Sequence, residues 1–425
     1  MLDIKALRED PDHFRRALRV RGEAGNHQAV DRILELDQGR RAAITEADEL
    51  KARRNSVSRT IGERKRAGED ASDLIAEMRE VGARIAELDG RVAEADAEIG
   101  TLLLETPNLP LEEVPEGDES ANVELRQVGT PLRHPFDARP HWELGEALGI
   151  LDLARGAKVS GSGFPVLRGA GARLQRVLIE WMLEIHVREH GYEELHVPYL
   201  VTGDALTGTG QLPKFSDESW VTSRDDLWLI PTAEVPVTNL RRDEIIRAGE
   251  LPLRYTACSP CFRREAGAAG KDTRGLLRVH QFDKVELVRF ETPERSREAL
   301  EELTAEAETI LERLGLTWRV LRLAAGDLGF AAAMTYDIEV WAPGVEQWLE
   351  VSSCTTFTDY QARRANIRYR PAPGEKARFP HTLNGSALAL PRLMVALLET
   401  YQQEDGSVII PEVLRARMGS EHLMA

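Results

Sequence analysis

A regular spacing of apolar residues between positions 74 and 102 constrains the fold more than any other feature of this sequence. The intervals alternate between four and three residues without a break, and the residues are Leu74, Met78, Val81, Ile85, Leu88, Val92, Ala95, Ile99 and Leu102. This spacing puts one narrow apolar stripe along an α-helix and is typical of helices that pair as a coiled coil.

A second segment upstream follows the same spacing. Its apolar residues are Ile33, Leu36, Ala43, Ala47, Leu50, Val57 and Ile61, with Arg40 and Arg54 at two further seam positions. Gly68 and Ser72 lie between the two segments and favour a turn followed by a helix start. We therefore predict an antiparallel helical hairpin from about Asp31 to Leu104, with helices about 50 Å long. A projecting arm is favoured over two helices packed on a globular core, because the two-position seam is narrow.

The charge of this hairpin opposes that of the whole chain. The 425 residues include 55 basic and 71 acidic side chains, and the net charge of −16 argues against nucleic-acid binding over the whole surface. Residues 51–66 carry seven basic side chains against one acidic, a net charge of +6: Lys51, Arg53, Arg54, Arg59, Arg64, Lys65 and Arg66. Such a run is often only a solvated helix face, but on an extended element of opposite sign it also suits nucleic-acid phosphates.

Composition also bounds the compartment and the domain count. Three cysteines are too few for a disulfide framework, so we expect a reducing cytoplasm. The charged N-terminus does not resemble a secretory signal. The longest apolar stretch is interrupted by Pro391 and Arg392 and is too short to span a bilayer, so no membrane partner is expected. A chain of this length favours two domains.

Prolines mark the boundary between those domains. Pro107, Pro110 and Pro115 end the helical pattern and indicate a linker, so we predict one domain with the helical arm over residues 1–105 and a second domain over 106–425. Helices and strands mix in the second domain without regular alternation, which favours an α+β fold. A long amphipathic helix begins near Gly171 and is followed by a predicted strand that carries Pro198, at an edge, an end or an interface.

Within the second domain, two predicted strands over 253–265 and 276–290 flank the loop "AGAAGKDTRG". Alternation along a strand puts Arg263 and Glu265 on one face. On the return strand it puts Arg278, Phe282 and Glu286 on one face, and Val279, Val285 and Leu287 on the other. An arginine can pair with a phosphate, a carboxylate can accept from an exocyclic amine, and a ring can stack on a base. The set therefore suits a nucleotide, although a solvated sheet face with cross-strand ion pairs is the alternative.

Two other patterns in the same region fail on inspection. The segment "GAAGKD" lacks the first glycine of a phosphate-binding loop and the hydroxyl residue after Lys271. Cys258 and Cys261 have no second cysteine pair with which to complete a structural zinc site.

A second hairpin is predicted to turn at Pro343 and Gly344. It would put Glu350, Ser352 and Ser353 at a strand end, and a carboxylate with a hydroxyl suits Mg²⁺. Glu350 and Ser353 cannot share one face of a regular strand, so a shared metal requires a bulge or a strand end.

A strand that runs into a helix is predicted over residues 381–401, with Pro391 at the first helical position. Arg392 would then lie at a helix N-terminus, where a cation is unfavourable. Either a bound anion or a local carboxylate would resolve that conflict.

These motifs in this order resemble the three signature motifs of class II aminoacyl-tRNA synthetases. Within that class, "TGTGQLPKF", "PTAEVPVTNL", "GKDTRGLLRVHQFDKVEL", "LEVSSCTTFTDYQARR" and "HTLNGSALA" resemble the bacterial seryl-tRNA synthetase family. The arm, with "RRNSVSRTIG", and the proline linker are similar as well, so the resemblance covers essentially the full chain. It implies that residues 1–105 form a tRNA-binding domain with the coiled-coil arm. It also implies that residues 106–425 form a class II catalytic domain built on an antiparallel sheet flanked by helices.

The resemblance also implies roles for particular residues. Arg263 would bind the ATP α-phosphate, Glu265 the adenine amine and Arg392 the γ-phosphate, with Phe282 stacked on the ring. Arg278 would bind the substrate carboxylate or the adenylate phosphate. The implied catalytic residues are Arg263, Arg278 and Arg392. The implied ATP-binding residues are Arg263, Arg264, Glu265, Val279, Phe282, Glu350, Val351, Ser352, Ser353 and Arg392.

The serine-binding residues implied in the same way are Thr232, Ala233, Glu234, Glu286, Asn384 and Ser386. Mg²⁺ would lie at Glu350 and Ser353. The tRNA-binding residues would be the seven basic residues of the arm and Lys271. One departure is Pro391, where the family often has glycine; proline suits a first helical turn.

The implied activity is ATP-dependent formation of seryl-adenylate and transfer of serine to the 3′ end of serine tRNA, gripped by its long variable arm. Selenocysteine tRNA is a further implied substrate, and a homodimer with the Pro198 segment at its interface is implied. One alternative is a ligase that loads an amino acid onto a carrier protein, but such relatives lack the arm. The other is a non-catalytic RNA-binding paralogue, which would have lost Arg263, Glu286 or Arg392; all three are present.

Overall fold

The computed structural model describes residues 1–22, 26–265 and 274–424. The chain divides into two compact units. One unit comprises Leu2–Arg19 and the described part of Glu23–Thr106, and the other comprises Pro107–Ala425 up to residue 424 together with Met1 and Val20–Gly22.

The N-terminal unit is helical. Its helices are α1 (Ile4–Glu9), α2 (Pro11–Val20), α3 (Asn26–Ala67) and α4 (Ser72–Glu105). Helices α3 and α4 have 42 and 34 residues, which corresponds to lengths of about 60 Å and about 50 Å. They lie antiparallel and pack along each other, so the predicted hairpin is confirmed, with a first helix longer than expected.

The predicted seam lies between these two helices. Leu88 is fully buried against Ala43 and Ala47, with Leu50 and Val92 beside them. Cross-helix ion pairs flank the seam, such as Arg84 Nε to Glu46 Oε1 at 2.8 Å, Arg40 Nη1 to Asp96 Oδ1 at 2.9 Å and Lys51 Nζ to Asp89 Oδ1 at 2.9 Å.

The prediction of Arg54 as a seam residue is wrong, because its side chain is exposed. A guanidinium without a partner is costly to bury, and Arg54 therefore faces water. Arg40, the other predicted seam arginine, is partly buried and pairs with Asp37 and Asp96.

The second unit is built on a mixed set of strands. In chain order they are β1 (Val123–Val128), β2 (Leu151–Asp152), β3 (Val166–Leu167), β4 (Glu193–Glu194), β5 (Leu200–Thr202), β6 (Trp220–Val221), β7 (Leu227–Leu229), β8 (Ile245–Ile246), β9 (Leu253–Phe262), β10 (Gln281–Glu291), β11 (Trp318–Arg322), β12 (Met334–Ala342), β13 (Gln347–Thr356), β14 (Arg368–Tyr369), β15 (His381–Ala389), β16 (Val408–Ile409) and β17 (His422–Leu423). Its helices are α5 (His141–Ala147), α6 (Leu153–Ser160), α7 (Gly169–Arg188), α8 (Gly203–Thr209), α9 (Glu234–Asn239), α10 (Ser296–Arg313), α11 (Tyr360–Arg364), α12 (Leu390–Thr400) and α13 (Glu412–Met418).

Eight strands form the central sheet, in the order β1-β11-β12-β13-β15-β10-β9-β4. Neighbours are antiparallel except β4 and β9. Helices α7, α10 and α12 contact this sheet and share one hydrophobic core with it. The predicted α+β fold with an antiparallel sheet flanked by helices is confirmed.

Alternation along β10 separates this core from a polar face. Val285 and Leu287 are fully buried in the core, as predicted, whereas Phe282 and Glu286 line cavities on the other face of the strand. This part of β10 therefore has one face in the core and the other at the cavities.

Two predicted strands differ from the structure. Strand β9 ends at Phe262 and β10 begins at Gln281, so Glu265, Arg278 and Val279 lie outside the regular ladder. Pro198 lies between the short strands β4 and β5 rather than within a strand, because proline cannot donate to a ladder. None of the helices in the described ranges is long and apolar enough to cross a bilayer.

The packing of Leu88 predicts a local effect on the arm. Leu88→Ala should destabilise the hairpin by about 2–4 kcal/mol, because the neighbouring alanines cannot fill the cavity that is left. Hydrogen exchange should become faster in α3 and α4 and remain unchanged in β10 and β12. Ile75→Ala, on the same helix but 45% exposed, is the matched control. Equal effects of the two substitutions would contradict this account of the seam.

Candidate active site

Two adjoining cavities open on the polar face of the central sheet, with volumes of about 680 Å³ and about 140 Å³. Both are lined by Arg263, Glu265, Lys284, Glu350 and Ser386. The shared residues make the two cavities parts of one site, which can hold two groups side by side.

The smaller cavity contains an aromatic ring between charged groups. The Arg263 guanidinium lies 5.3 Å from the centre of the Phe282 ring. Arg278 Nε lies 2.9 Å from Glu265 Oε2. Glu265 has a φ of 51°, a backbone conformation that residues other than glycine rarely adopt. The structure thus brings Arg263, Glu265, Arg278 and Phe282 together, although the first three lie beyond the strand ends.

Arg392 closes the other side of this cavity. Its Nε donates to the Leu277 carbonyl at 3.2 Å, and its Nη1 donates to the Glu350 carbonyl at 2.8 Å. Nη1 also lies 3.4 Å from Glu350 Oε2, so a local carboxylate accompanies this arginine near the start of α12. Pro391 is the second helical residue, not the first as predicted, because α12 begins at Leu390.

The larger cavity ends in a buried polar pocket. Glu286 is almost fully buried and forms an ion pair with the buried Lys284. Thr232 Oγ1 donates to Glu286 Oε2 at 3.2 Å and accepts from the Glu234 backbone N–H at 3.3 Å. Two carboxylates therefore meet in one pocket with a hydroxyl between them.

Glu234 is the second carboxylate of this pocket. The pKa of Glu234 is raised to about 7, mainly by burial; the hydrogen bond from the Gln361 amide opposes this shift, and the nearby Glu286 carboxylate adds to it. Gln361 Nε2 donates to Glu234 Oε1 at 2.5 Å, and Gln361 Oε1 accepts from Thr382 Oγ1 at 2.7 Å. These bonds fix the orientation of the amide and, through it, the position of Glu234.

A β-bulge brings Glu350 and Ser353 to the same cavity. Ile338 pairs with Ser352 whereas Glu339 pairs with Glu350, so the register shifts between them. The prediction that these residues lie at a strand end is wrong, since β13 continues to Thr356. The bulge that was predicted as the alternative is present.

The residues beside the bulge fit a hard cation. Asp337 lies opposite Ser353 in the ladder, and its Oδ1 is buried without a hydrogen-bond partner among the described residues. Burial, and then the Glu350 carboxylate, raise the pKa of Asp337 well above its usual range. A bound cation would relieve both effects. The described residues contain no cluster of three or more His, Cys, Asp or Glu side chains arranged for a metal, but Mg²⁺ commonly takes one or two carboxylates and keeps its other positions for water and phosphate.

Some predicted site residues do not line the cavities. Ser352 is buried and its hydroxyl donates to the Ser386 carbonyl at 2.6 Å, and Ala233 is fully buried. The Arg264 guanidinium lies 5.6 Å from the centre of the Trp220 ring. The remaining predicted ATP and serine residues line one cavity or both: Thr232, Glu234, Arg263, Glu265, Arg278, Val279, Phe282, Glu286, Glu350, Val351, Ser353, Asn384, Ser386 and Arg392. Lys271 lies outside the described residues.

Among the residues of the site that were not predicted from the sequence, Lys284, Asp337 and Gln361 bear most directly on the predicted ones. Lys284 lies between Phe282 and Glu286 on the same face of β10, so alternation alone would have indicated it. Asp337 could have been found by pairing the two strands of the second hairpin. Gln361 comes from α11, and nothing in its local sequence indicates that it meets Glu234.

The basic residues of the arm differ in their partners. Lys51 pairs with Asp89, and Arg53 pairs with Glu77. The other five make no ion pair within the described ranges and are exposed: Arg54, Arg59, Arg64, Lys65 and Arg66. Their charge therefore remains available to an anionic partner.

Comparison with known proteins agrees with both units. Residues 1–110 match the family described as the seryl-tRNA synthetase N-terminal domain, and residues 218–401 match the tRNA synthetase class II core domain (G, H, P, S and T). A serine--tRNA ligase of Gemmatimonas aurantiaca is 60% identical over 422 residues, which cover 99% of each chain.

Solved structures are similar over the whole chain as well. The seryl-tRNA synthetase of Pyrococcus horikoshii, complexed with ATP, is 40% identical with a TM-score of 0.96, and covers 100% of this chain and 99% of its own. The cytoplasmic serine-tRNA ligase of Naegleria fowleri, in complex with AMP, is 29% identical with a TM-score of 0.90 at the same coverage. The chain therefore belongs to the seryl-tRNA synthetase family of class II tRNA synthetases.

Proposed function

We propose that this chain is a serine--tRNA ligase that activates L-serine with ATP in the two adjoining cavities and transfers it to the 3′ end of serine tRNA. The observation that carries the proposal is the set of five residues shared by the smaller cavity, which contains arginines and an aromatic ring, and the larger cavity, which ends in a buried carboxylate pocket. Full-length relatives with this named activity support it.

The smaller cavity takes the nucleotide. Phe282 stacks on the adenine, and Glu265 accepts from its exocyclic amine. Arg263 binds the α-phosphate, and Arg392 binds the γ-phosphate. The 5.3 Å separation of the Arg263 guanidinium from the centre of the Phe282 ring supports this arrangement, because a cation that can bind a phosphate lies next to a ring that can stack on a base.

The polar pocket of the larger cavity takes serine. Glu286 and Thr232 bind the hydroxyl or the ammonium, Glu234 contributes a second carboxylate, and Ser386 and Asn384 close the pocket. A pocket whose buried polar groups bond the serine hydroxyl rejects alanine, because alanine leaves those groups unpaired.

The first chemical step needs alignment more than acid–base catalysis. The serine carboxylate oxygen attacks the α-phosphorus, the bond to the bridging oxygen breaks, and pyrophosphate leaves with its electrons. Arg263 and Arg278 neutralise the charge that develops on the phosphoryl oxygens. In the second step the terminal ribose 3′-hydroxyl of tRNA attacks the adenylate carbonyl and AMP leaves.

Mg²⁺ fits beside Glu350 and Ser353, with Asp337 as a further acidic neighbour. When bound, it supplies charge neutralisation for the polyphosphate. The backbone carbonyl and the carboxylate of Glu350 both contact Arg392. Glu350 therefore orients the arginine that binds the γ-phosphate and also provides a carboxylate for Mg²⁺.

The arm binds the long variable arm of serine tRNA through its basic residues, and selenocysteine tRNA is a further substrate. The enzyme acts as a homodimer in the cytoplasm. Three free cysteines support a reducing compartment. Leu200, two residues after Pro198, and Trp220, in the same three-stranded sheet as Leu200, are both exposed. These apolar side chains support a subunit interface at that segment.

Serine-dependent exchange of labelled pyrophosphate into ATP tests the proposal directly. The purified protein should catalyse exchange with serine. The exchange rate with alanine at equal concentration should be lower by a factor of about 100 or more. It should then charge serine tRNA. Exchange without tRNA charging, but with loading of a carrier protein, would favour the carrier-protein ligase, and absence of exchange would favour the RNA-binding paralogue.

Replacing Glu286 or Glu265 by glutamine should affect the binding of one substrate and leave the other nearly unchanged. Glu286→Gln should raise the serine KM by roughly 10- to 100-fold with little change in the ATP KM, since it weakens charge-assisted bonds to serine. Glu265→Gln should do the reverse. Steady-state exchange kinetics with each substrate varied in turn provide the measurement. The roles are wrongly assigned if Glu286→Gln changes mainly the ATP KM.

The pKa of about 7 for Glu234 predicts proton release when serine binds. Near pH 7 this carboxyl is partly protonated because burial disfavours its charge, and the serine ammonium should draw the pKa downward. Calorimetry in buffers of different ionisation enthalpy should therefore detect loss of a fraction of a proton per serine. Glu234→Gln should abolish that loss. If the wild-type binding enthalpy does not depend on the buffer, Glu234 does not release a proton when serine binds.

The unpaired charges of the arm predict a selective effect on tRNA. Changing Arg54, Arg59 and Arg64 to Gln together should weaken tRNA binding and reduce the salt slope by about one unit per lost phosphate contact. Serine-dependent exchange should stay normal. The control triple, Arg15, Arg32 and Arg84 to Gln, removes the same charge from arginines that are each held by two carboxylates. Equal loss of tRNA affinity in both triples would show that only net charge matters.

A further inference from the structure

A buried pair of side chains, His141 and Glu399, lies outside the two cavities and joins the lining of the smaller one to helix α12. His141 and Glu399 are both fully buried, and His141 Nδ1 lies 2.8 Å from Glu399 Oε1. The same carboxylate oxygen accepts from the His141 backbone N–H at 2.9 Å. The other oxygen accepts from the backbone N–H groups of Gly344 at 2.9 Å and Val345 at 3.1 Å. Four donors therefore converge on one carboxylate and fix its position.

The second ring nitrogen of His141 determines the tautomer. His141 Nε2 lies 2.9 Å from the backbone nitrogen of Leu276, and a backbone N–H can only donate. Nε2 is therefore the acceptor, and Nδ1 carries the proton that is donated to Glu399. Both nitrogens have defined partners, so the ring links Glu399 to the Leu276 backbone in one orientation.

The segment that the ring holds borders the smaller cavity. Leu276 and Leu277 both line that cavity. Next to them, Gly275 has a φ of 62°, and a Cβ built there would lie 2.2 Å from His141 Nε2. Arg274 lies over the ring of Trp142, 5.8 Å from its centre. The start of α5 thus contacts three consecutive residues of this segment.

The contacts form a closed circuit that begins and ends on α12. Glu399 holds His141, His141 holds Leu276, and the Leu277 carbonyl accepts from Arg392 Nε at 3.2 Å. Arg392 and Glu399 are seven residues apart, which is two helical turns, so they lie on the same side of α12. A displacement of Leu276 would therefore reach the arginine at the cavity.

We propose that His141 is a positioning residue for nucleotide binding. Its Nε2 holds the Leu276 backbone so that the Leu277 carbonyl keeps Arg392 directed at the smaller cavity, and Glu399 fixes the ring that does this. The inference rests on the proposed function in one respect, namely that the smaller cavity takes ATP.

A purely structural role is the competing explanation, since any buried hydrogen-bonded pair stabilises the elements that it joins. The two roles differ in what each half of the ring does. If the pair only joins α5 to α12, its contact with Glu399 matters and its contact with Leu276 does not. If it positions the nucleotide site, the Leu276 contact decides ATP binding.

Two amide substitutions separate these contacts. The amide of His141→Asn reaches only as far as Nδ1 and can donate to Glu399, but it cannot reach Leu276. The amide of His141→Gln reaches as far as Nε2 and can accept from Leu276, but it loses the bond to Glu399. His134→Gln is the control, because His134 Nε2 lies 2.9 Å from the backbone carbonyl of the same Glu399 and does not line either cavity.

The readouts are serine-dependent pyrophosphate exchange and thermal unfolding of the full chain. His141→Asn should raise the ATP KM roughly tenfold, the effect of one lost buried hydrogen bond, and leave the serine KM unchanged. His141→Gln should restore most of the ATP affinity, although its melting temperature also falls. His134→Gln should keep the wild-type ATP KM.

Gly275→Ala keeps the His141–Glu399 pair but pushes the segment away from the ring. It should therefore raise the ATP KM as His141→Asn does. This variant also provides the test if His141→Asn does not fold. Equal ATP KM values for the Asn and Gln variants, or a wild-type ATP KM for Gly275→Ala, would overturn the proposal. Absence of exchange in the wild-type protein would instead refute the proposed function.

Discussion

The buried ion pair of Lys284 and Glu286 on β10 determines how the rest of the site is arranged. Lys284 and Glu286 lie at alternate positions of a central strand, between the nucleotide cavity and the polar pocket, and almost no water reaches them. Burial of either charge alone would cost several kcal/mol, so each requires the other. The core residues Val285 and Leu287 on the opposite face hold the strand in register and so fix where the pair lies.

The same strand joins the two chemical tasks. Phe282 borders the smaller cavity, Glu286 the larger, and Lys284 both. A shift of register by one residue would move all three side chains to the opposite face of the sheet. The pairing of β10 with β9 and β15 on its two sides therefore specifies the site as well as the sheet.

Much of this arrangement could be predicted from the sequence, because alternation and heptad spacing are local. The seam around Leu88 and the opposite faces of Glu286 and Val285 follow from period alone. The contact of Gln361 with Glu234 depends on how α11 returns to the sheet, which no local pattern encodes. The positions of the strand ends could not be predicted either, since Arg278 reaches the site from an irregular segment. The bulge between Glu350 and Ser352 becomes visible only when β12 and β13 are paired. Arg54 shows the limit of periodicity, since its position in the seam could not overcome the cost of burying a charge.

A crystal structure of the protein with a non-hydrolysable seryl-adenylate analogue would show whether the two cavities act as one site that meets at Lys284, with Glu286 on its serine side. We expect the adenine against Phe282, the phosphate surrogate near Arg263, and the seryl hydroxyl or ammonium within hydrogen-bond distance of Glu286. An analogue bound with its adenine in the polar pocket, or with its seryl group remote from Glu286, would contradict this expectation.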